Sequence, residues 1–451
     1  MAAVATRLQQ PEPKNAMASA PPPTTPRKPL PLLLLSLSLP FLLLLLSLVF
    51  LLSHTTFSLL LCPLLPRPNA TTTMTTSAAA AAPPPTLDSS MDKSLRSFHA
   101  SPPPPPLPLS PPPPSASAVK SSKKKALTKR NKTLLKQLLA ETPRTRRFAA
   151  RAAELFASTP RRPCTRRFFM TWLSPLDRFG RRELLVVESL FASHRDACLL
   201  IASDAMDSRG GGERLAPFLD RGLRVAAASP DLSYLLSDTP AEAWLAAARH
   251  GGVAPGSVPL GQNLSNLLRL ALLYKYGGVY LDADVVVLRP FPGILRNAIG
   301  AQAVDAATGD WIRLNNAVMV FDRGHPLLRE FIAEFAARFD GSKWGHNGPY
   351  LVSRVVRRRR PEEADNLTVL PPPAFYPVDW NKIGGLFVAP KDRKGERWVK
   401  AKVERIKGES FGIHLWNRES RSLEMEEGSV IGRLFSDSCL FCNSSMFANH
   451  E

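Results

Sequence analysis

YGGVYLDADVVVLRP, residues 276 to 290, reads as a β-strand entered through a glycine pair and carrying two carboxylates in its middle. Val and Tyr favour strands, whereas Asp is depleted in them, and an unpaired buried carboxylate is costly. In an extended chain Asp282 and Asp284 point to one side, and Leu281, Ala283 and Val285 to the other. Two neighbouring carboxylates repel, and one takes up a proton unless a cation lies between them. A divalent ion is such a cation, and oxygen ligands favour Mg²⁺, Mn²⁺ or Ca²⁺. The plainer alternative is a solvated pair at an exposed strand end.

The residues just upstream argue against exposure. NLSNLLRLALLYKYGG, from Asn263, is apolar around most of a helical circumference, which predicts a largely buried helix. Asn263 or Ser265 is expected to cap its start, and Gly277 to end it as the C′ residue. Asn266 and Arg269 lie at i and i+3 and share one face. An Arg in a buried helix needs an anion: either a core carboxylate or a ligand phosphate.

Further outward, apolar strand patterns at Phe168 to Leu173, Cys198 to Ala202, Arg224 to Ala228, Val279 to Leu288, Ala317 to Phe321 and Phe411 to Trp416 alternate with helical patterns. The helical patterns are Glu183 to Ser193, Ala241 to Arg249, Leu264 to Tyr276 and Pro326 to Phe339. Such alternation predicts an α/β sheet, at least partly parallel, with ligands at the carboxyl ends of its strands.

The block Ser265 to Pro290 resembles the signature of retaining glycosyltransferases with DxD sugar-binding regions, which have the GT-A fold (a Rossmann-like nucleotide-sugar-binding domain). The likeness is to the alpha-1,4-galactosyltransferase and alpha-1,4-N-acetylglucosaminyltransferase family, plant-type members in particular. FFMTWLSP from Phe168, LNNAVMVFD from Leu314, WGHNGPYLVSRV from Trp344, AFYPVDW from Ala374 and HLWNRES from His414 agree with it in order. The resemblance spans about Cys164 to Cys442. It implies that Asp282 and Asp284 bind Mn²⁺ or Mg²⁺ and the UDP-sugar, with His414 approaching the metal. It implies donor contacts from Asn266, Arg269 and Tyr280, with Arg269 counted among the catalytic residues beside the two Asp. It implies sugar contacts from Asn315, Asn316, His346 and Asn347. Asn266 stands where many relatives carry Asp. Phe168, Phe169 and Trp172 are open to two readings, nucleotide contact or packing.

The rest of the chain sets the context. It has 451 residues, 44 prolines and a formal net charge of +20. Leu32 to Leu52 is an uncharged apolar run preceded by Arg27 and Lys28. That is the length of a bilayer-spanning helix, longer than the about 7–15 apolar residues of a signal peptide. The positive flank orients the bulk of the chain into the lumen. The expected organisation is a cytosolic tail over 1–30, a signal anchor over 31–53, a mostly disordered Pro/Lys/Arg-rich stem over 54–160, a catalytic domain over 164–442 and a tail over 443–451. The resemblance then implies a Golgi type II membrane protein.

SPPPPPLPLSPPPP, from Ser101, favours an extended polyproline rod. VKSSKKKALTKRNK, from Val119, is basic, but no nucleic-acid motif accompanies it, so nucleic acid is excluded as a partner. Helical spacing at Leu134, Leu135, Leu138 and Leu139 suggests a stem helix able to pair subunits as a homodimer. Cys164, Cys198, Cys439 and Cys442 allow two disulfides in three connectivities. Glycosylation sequons occur at Asn69, Asn131, Asn263, Asn366 and Asn443.

The expected activity is transfer of galactose or N-acetylglucosamine from a UDP-sugar to a glycan, glycolipid or glycoprotein acceptor. Two alternatives stand beside it. One is an inactive Golgi relative acting as a scaffold. The other is a haloacid-dehalogenase-type phosphatase, whose first motif LDADVVV also fits. That family opens its domain with this strand, whereas here more than a hundred globular residues precede it.

Overall fold

The computed structural model describes residues 116–359 and 366–441. All lie within one compact unit, Leu107–Glu451. The apolar run Leu32–Leu52, the proline-rich segment, most of the expected stem and the C-terminal tail lie outside the described residues. Among the described residues no helix is long and apolar enough to cross a membrane.

The core is a seven-stranded mixed sheet in the order β3-β2-β1-β4-β7-β6-β8. Its strands are β1 Arg167–Thr171, β2 Cys198–Ala202, β3 Arg224–Ala228, β4 Gly278–Leu281, β6 Ala298–Val304, β7 Trp311–Phe321 and β8 Thr368–Leu370. β3, β2, β1 and β4 run parallel, and β7 is antiparallel to β4 and β6. A second, two-stranded sheet pairs β5, Val285–Val287, with β9, Gly412–His414. The α/β expectation holds, with a parallel half and an antiparallel half.

Alternation along the strands builds two hydrophobic layers. Phe168 and Met170 of β1 and Val279 and Leu281 of β4 face one cluster. Phe169 and Tyr280 face the other. The first layer is covered by α3 Arg181–Ser193, α4 Arg209–Leu219, α10 Arg393–Glu409 and α12 Val430–Asp437. The second is covered by α2 Phe148–Phe156, α5 Leu232–Leu236, α6 Ala241–Arg249, α7 Leu260–Tyr276, α8 Pro326–Arg338 and α9 Pro349–Arg358. Phe168 and Phe169 are fully buried in these layers, and Trp172 is nearly so with its indole donating to Pro175 O. Of their two readings, the structure bears out packing.

Two expectations are corrected. The strand expected over Val279–Leu288 is two strands in two sheets, because the segment turns at Asp282-Ala283-Asp284, where Val285 N donates to Asp282 O (3.0 Å). α7 begins at Leu260, so neither Asn263 nor Ser265 is its cap. Of the segment expected over 54–160 as a mostly disordered stem, the described part from residue 116 onward carries helices, as the leucine spacing suggested. α1, Ala116–Leu139, and α2 pack on the compact unit, with Phe148 and Ala152 fully buried. The leucine stripe of α1 therefore meets this chain's own second layer, with Leu135 buried and Leu134, Leu138 and Leu139 packed against it. Of the three disulfide connectivities left open, the structure contains the one that joins Cys164 to Cys198, and Cys439 is disulfide-bonded as well.

Gly277 ends α7 as expected, at φ +64°. Gly278 lies at φ +130°, where a Cβ would come within 2.5 Å of Arg167 O. This close approach lets β4 enter the sheet beside β1 directly after the helix.

Candidate active site

The turn after β4 separates the two carboxylates and gives each its own partners. Tyr280 and Asp282 keep the strand's parity and face α7. Arg269, 4 % exposed, meets Asp282 at 2.9 Å. Its guanidinium also donates to Asn316 O (2.6 Å), Ser265 O (3.2 Å) and Ser265 Oγ (3.0 Å), and lies over the Tyr280 ring at 4.5 Å. Tyr280 OH donates to Asp282 Oδ1 (2.8 Å) and is held by Thr171 Oγ1 at the carboxyl end of β1. The carboxylate reading of Arg269's partner is the one the structure contains. This ion pair and the three donated bonds engage most of its N–H groups.

Asp284 is turned toward the second sheet. β5 pairs with β9 so that Val285 stands opposite His414. His414 Nε2 lies 3.3 Å from Asp284 Oδ1, and Asn417 N donates to Oδ2 (2.8 Å). Asn417 opens α11, Asn417–Ser420, and Trp416 before it has φ 54° and ψ 60°. A left-handed bulky residue is an outlier that surrounding structure must hold. Here Trp416 Nε1 donates to Val378 O (2.9 Å), and its ring packs on His414 and Tyr376. The strained residue aims the Asn417 amide at Asp284.

The two carboxyls consequently differ. Burial raises Asp282, against the opposing pull of Arg269. Asp284 is held down at about 2: burial works against this, but the His414 imidazole and the Asn417 amide prevail. His414 moves up in turn, with Asp284 outweighing burial. Environments that push two carboxyls apart are a recurrent mark of functional sites.

One ligand atom from each of Asp282, Asp284 and His414 lies within 4.8 Å of the others. His414 Nδ1 is buried without a hydrogen-bond partner. Two carboxylates and an imidazole this close together fit a divalent cation, and the oxygen-rich set favours a hard one.

The other expected residues divide differently. Asn266, Asn315, Asn316 and Asn347 are all buried and bonded within the protein. Asn316 Nδ2 donates to Asn266 Oδ1 (2.8 Å), and Asn266 Nδ2 donates to Gln262 O (3.0 Å). Asn315 donates to Gln302 and accepts from Ala317 N. Asn347 Nδ2 donates to Asn263 Oδ1 (2.9 Å) and Asp340 O (2.9 Å). Asn266, Asn316 and Asn347 thereby join α7 to β7 and to the loop before α9, and Asn315 joins β7 to β6. His346 is half-buried and bonds Arg338 O (2.8 Å).

Three residues were missed in the sequence. Arg182 contributes positive charge near Asp284 and donates to Ser420. Tyr376 lies buried against His414. Asn417 contributes its backbone amide. Tyr376 and Asn417 sit inside motifs already singled out, but a backbone donor leaves no trace in side-chain identity. Arg182, in a surface-like RRE, carries no signal at all. For the phosphatase alternative, Asp282 would have to be a free nucleophile, and Arg269 and Tyr280 hold it instead.

Comparison with known proteins agrees with the site. Residues 180–305 match the model described as a glycosyltransferase sugar-binding region containing a DXD motif. Residues 320–446 match the alpha 1,4-glycosyltransferase conserved region. Lactosylceramide 4-alpha-galactosyltransferase of Mus musculus is 32 % identical over 44 % of this chain and 52 % of its own length. Alpha-1,4-N-acetylglucosaminyltransferase of Homo sapiens is 28 % identical over 46 % of this chain and 58 % of its own. An uncharacterized protein of Arabidopsis thaliana is 33 % identical over 62 % of this chain and 42 % of its own. The chain thus spans about half the length of these curated relatives. Among solved structures, a PaToxG glycosyltransferase covers 70 % of this chain and 96 % of its own at 16 % identity, with a TM-score of 0.30, too low to bear on the assignment. The two family regions follow one another along the chain and fall on the elements that carry Asp282, Asp284 and His414, so the chain carries in order a DXD-containing glycosyltransferase sugar-binding region and an alpha 1,4-glycosyltransferase conserved region.

Proposed function

We propose that this chain is a metal-dependent retaining glycosyltransferase that moves galactose or N-acetylglucosamine from a UDP-sugar to a hydroxyl of a glycan, glycolipid or glycoprotein, in alpha-1,4 linkage. The observation that carries the reading is the meeting of Asp282, Asp284 and His414 at the end of β4. The organisation proposed with it is a Golgi type II protein of the GT-A fold, anchored through the N-terminal apolar run, with its catalytic domain in the lumen.

Asp282, Asp284 and His414 would hold the divalent ion. Bound there, Mn²⁺ or Mg²⁺ supplies charge that offsets the UDP diphosphate and stabilises the leaving group. The chain's own part is to keep this cluster ionised and in place. Arg269 offsets the charge of Asp282, and the Asn417 amide and Arg182 favour the anionic form of Asp284. Both carboxylates are held by other groups, so neither stands free as a covalent nucleophile. Retention then follows from same-face attack. The acceptor oxygen bonds to the anomeric carbon as that carbon's bond to the UDP oxygen breaks, and the acceptor proton passes to the leaving phosphate.

The test is UDP release by the full chain with a panel of UDP-sugars, with and without Mn²⁺, beside Asp284→Ala. Metal-dependent release from one donor, lost in the variant, supports the reading and names the sugar. Metal-dependent UDP binding without release from any donor favours the inactive relative. Absence of UDP binding under every condition rejects the proposal.

A further inference from the structure

α7 carries the residues that order the site, yet it starts without a cap of its own. Pro259 precedes it and makes no side-chain cap bond. The amide of its first residue, Leu260, is instead taken by Asn131 Oδ1 at 3.0 Å, from 129 positions upstream. The same side chain donates both N–H groups, to Gly256 O (3.0 Å) and Val258 O (2.7 Å). Asn131 is 2 % exposed, on a helix whose neighbouring Lys129, Arg130 and Lys132 are exposed.

The segment that Asn131 grips leads directly to the site. Val258 N donates to Gly341 O (2.8 Å), and a Cβ on Gly256 would come within 2.0 Å of Gly341 C. Gly341 opens the loop in which Asn347 binds Asn263 of α7. Asn263, Asn266 and Arg269 then form one polar stripe along the helix, at three-residue spacing, ending on Asp282.

We propose that Asn131 is a positioning residue of the donor site, an N-cap delivered in trans by the segment expected to be a spacer. The proposal rests on the reading of the site as a UDP-sugar site. It has a corollary for modification. Asn131-Lys132-Thr133 is a sequon. A glycan on Asn131 Nδ2 would remove a donor and force a sugar into a buried contact, so the modified chain and the capped helix exclude each other. Asn366, in the sequon Asn366-Leu367-Thr368, is exposed and free of that conflict.

Three variants of the full chain decide it. Thr133→Ala removes the sequon and keeps the cap. Asn131→Ala removes both. Val225→Ala, in the edge strand β3, destabilises the fold away from α7. Hydrogen exchange at Leu260 to Leu264 is read beside the Mn²⁺-dependent dissociation constant of UDP. In Asn131→Ala, protection of these amides drops about tenfold, the size of a lost cap, and UDP binding weakens by a similar factor. Thr133→Ala and Val225→Ala keep wild-type UDP affinity. Unchanged exchange at Leu260 to Leu264 in Asn131→Ala overturns the cap. Lost protection with unchanged UDP affinity reduces Asn131 to a structural role and overturns positioning. Failure of Thr133→Ala and the wild type to bind UDP sinks the functional reading, while the exchange arm still reports on the cap. Recovery of Asn131-glycosylated chain in a UDP-binding pool contradicts the proposal independently.

Discussion

The two carboxylates of the DxD turn are two residues apart and are held in different ways. Asp282 is served by Arg269 and Tyr280, both within 13 positions of it. Asp284 is served by His414 and Asn417, more than a hundred positions later, through a two-stranded sheet and a left-handed tryptophan. The first half has its direct side-chain partners within one helix–turn–strand unit. The second exists only when β9 has docked on β5. The unequal carboxyls follow: one raised by burial beside a permanent cation, one depressed by an imidazole and an amide.

The comparison can be broken most severely at Asp284. Asp284→Ala is expected to lower Mn²⁺-dependent turnover by about a hundredfold or more, the usual scale for losing a preorganised charge-stabilising group. Activity within a few-fold of wild type would mean that the β9 half does not serve the chemistry.

On the other half, Arg269→Met leaves Asp282 without its cation. Asp282 keeps 26 % of its side chain exposed, so the loss sits at the low end for a broken buried pair, about 3 kcal/mol. Urea unfolding in metal-free buffer measures it. In the double variant Arg269→Met/Asp282→Asn the loss should shrink markedly, because the stranded charge is gone.

An acid titration separates the halves without a mutation at Arg269. Asp284 is depressed to about 2, below its ordinary value near 4. A depressed carboxyl contributes stability that is present above its unfolded pKa and lost as pH falls through the folded one. Metal-free protein should therefore lose stability between about pH 4 and pH 2, and Asp284→Asn should flatten that part of the urea-midpoint profile. The raised pKa of His414 has the opposite sign: its contribution is full below about 6.5 and fades as pH rises through the folded value.

The smallest effect is expected at His346. Its ring bonds one backbone carbonyl at the surface, so His346→Ala should change stability by less than about 0.5 kcal/mol and leave UDP affinity intact. A large rise in the acceptor KM alone would restore it to the sugar-binding role that its motif suggested.

Much of the first half was legible. The body of the apolar helix, its terminal glycine and the start of the strand after it stand where their patterning put them, and Arg269 needed an anion that a nearby carboxylate supplies. The turn at Ala283 was not legible, because Val285, Val286 and Val287 continue the strand pattern and hide a change of sheet. β6 was missed in AIGAQAV, whose small residues carry little strand signal. α4 was missed because Gly210, Gly211 and Gly212 argue against a helix that packing nonetheless imposes.

The sequence by itself determined the acidic pair, the buried helix that faces one of its members, and the ordered motifs of the family, because periodicity and local spacing act over a few turns of chain. Only the tertiary structure decided that Asp284 belongs to His414 and Asn417, that Asn316 and Asn347 bond asparagines of α7, and that Asn131 caps α7. Those contacts join residues far apart in the chain through backbone amides and buried hydrogen bonds, and neither leaves a periodic mark in the sequence.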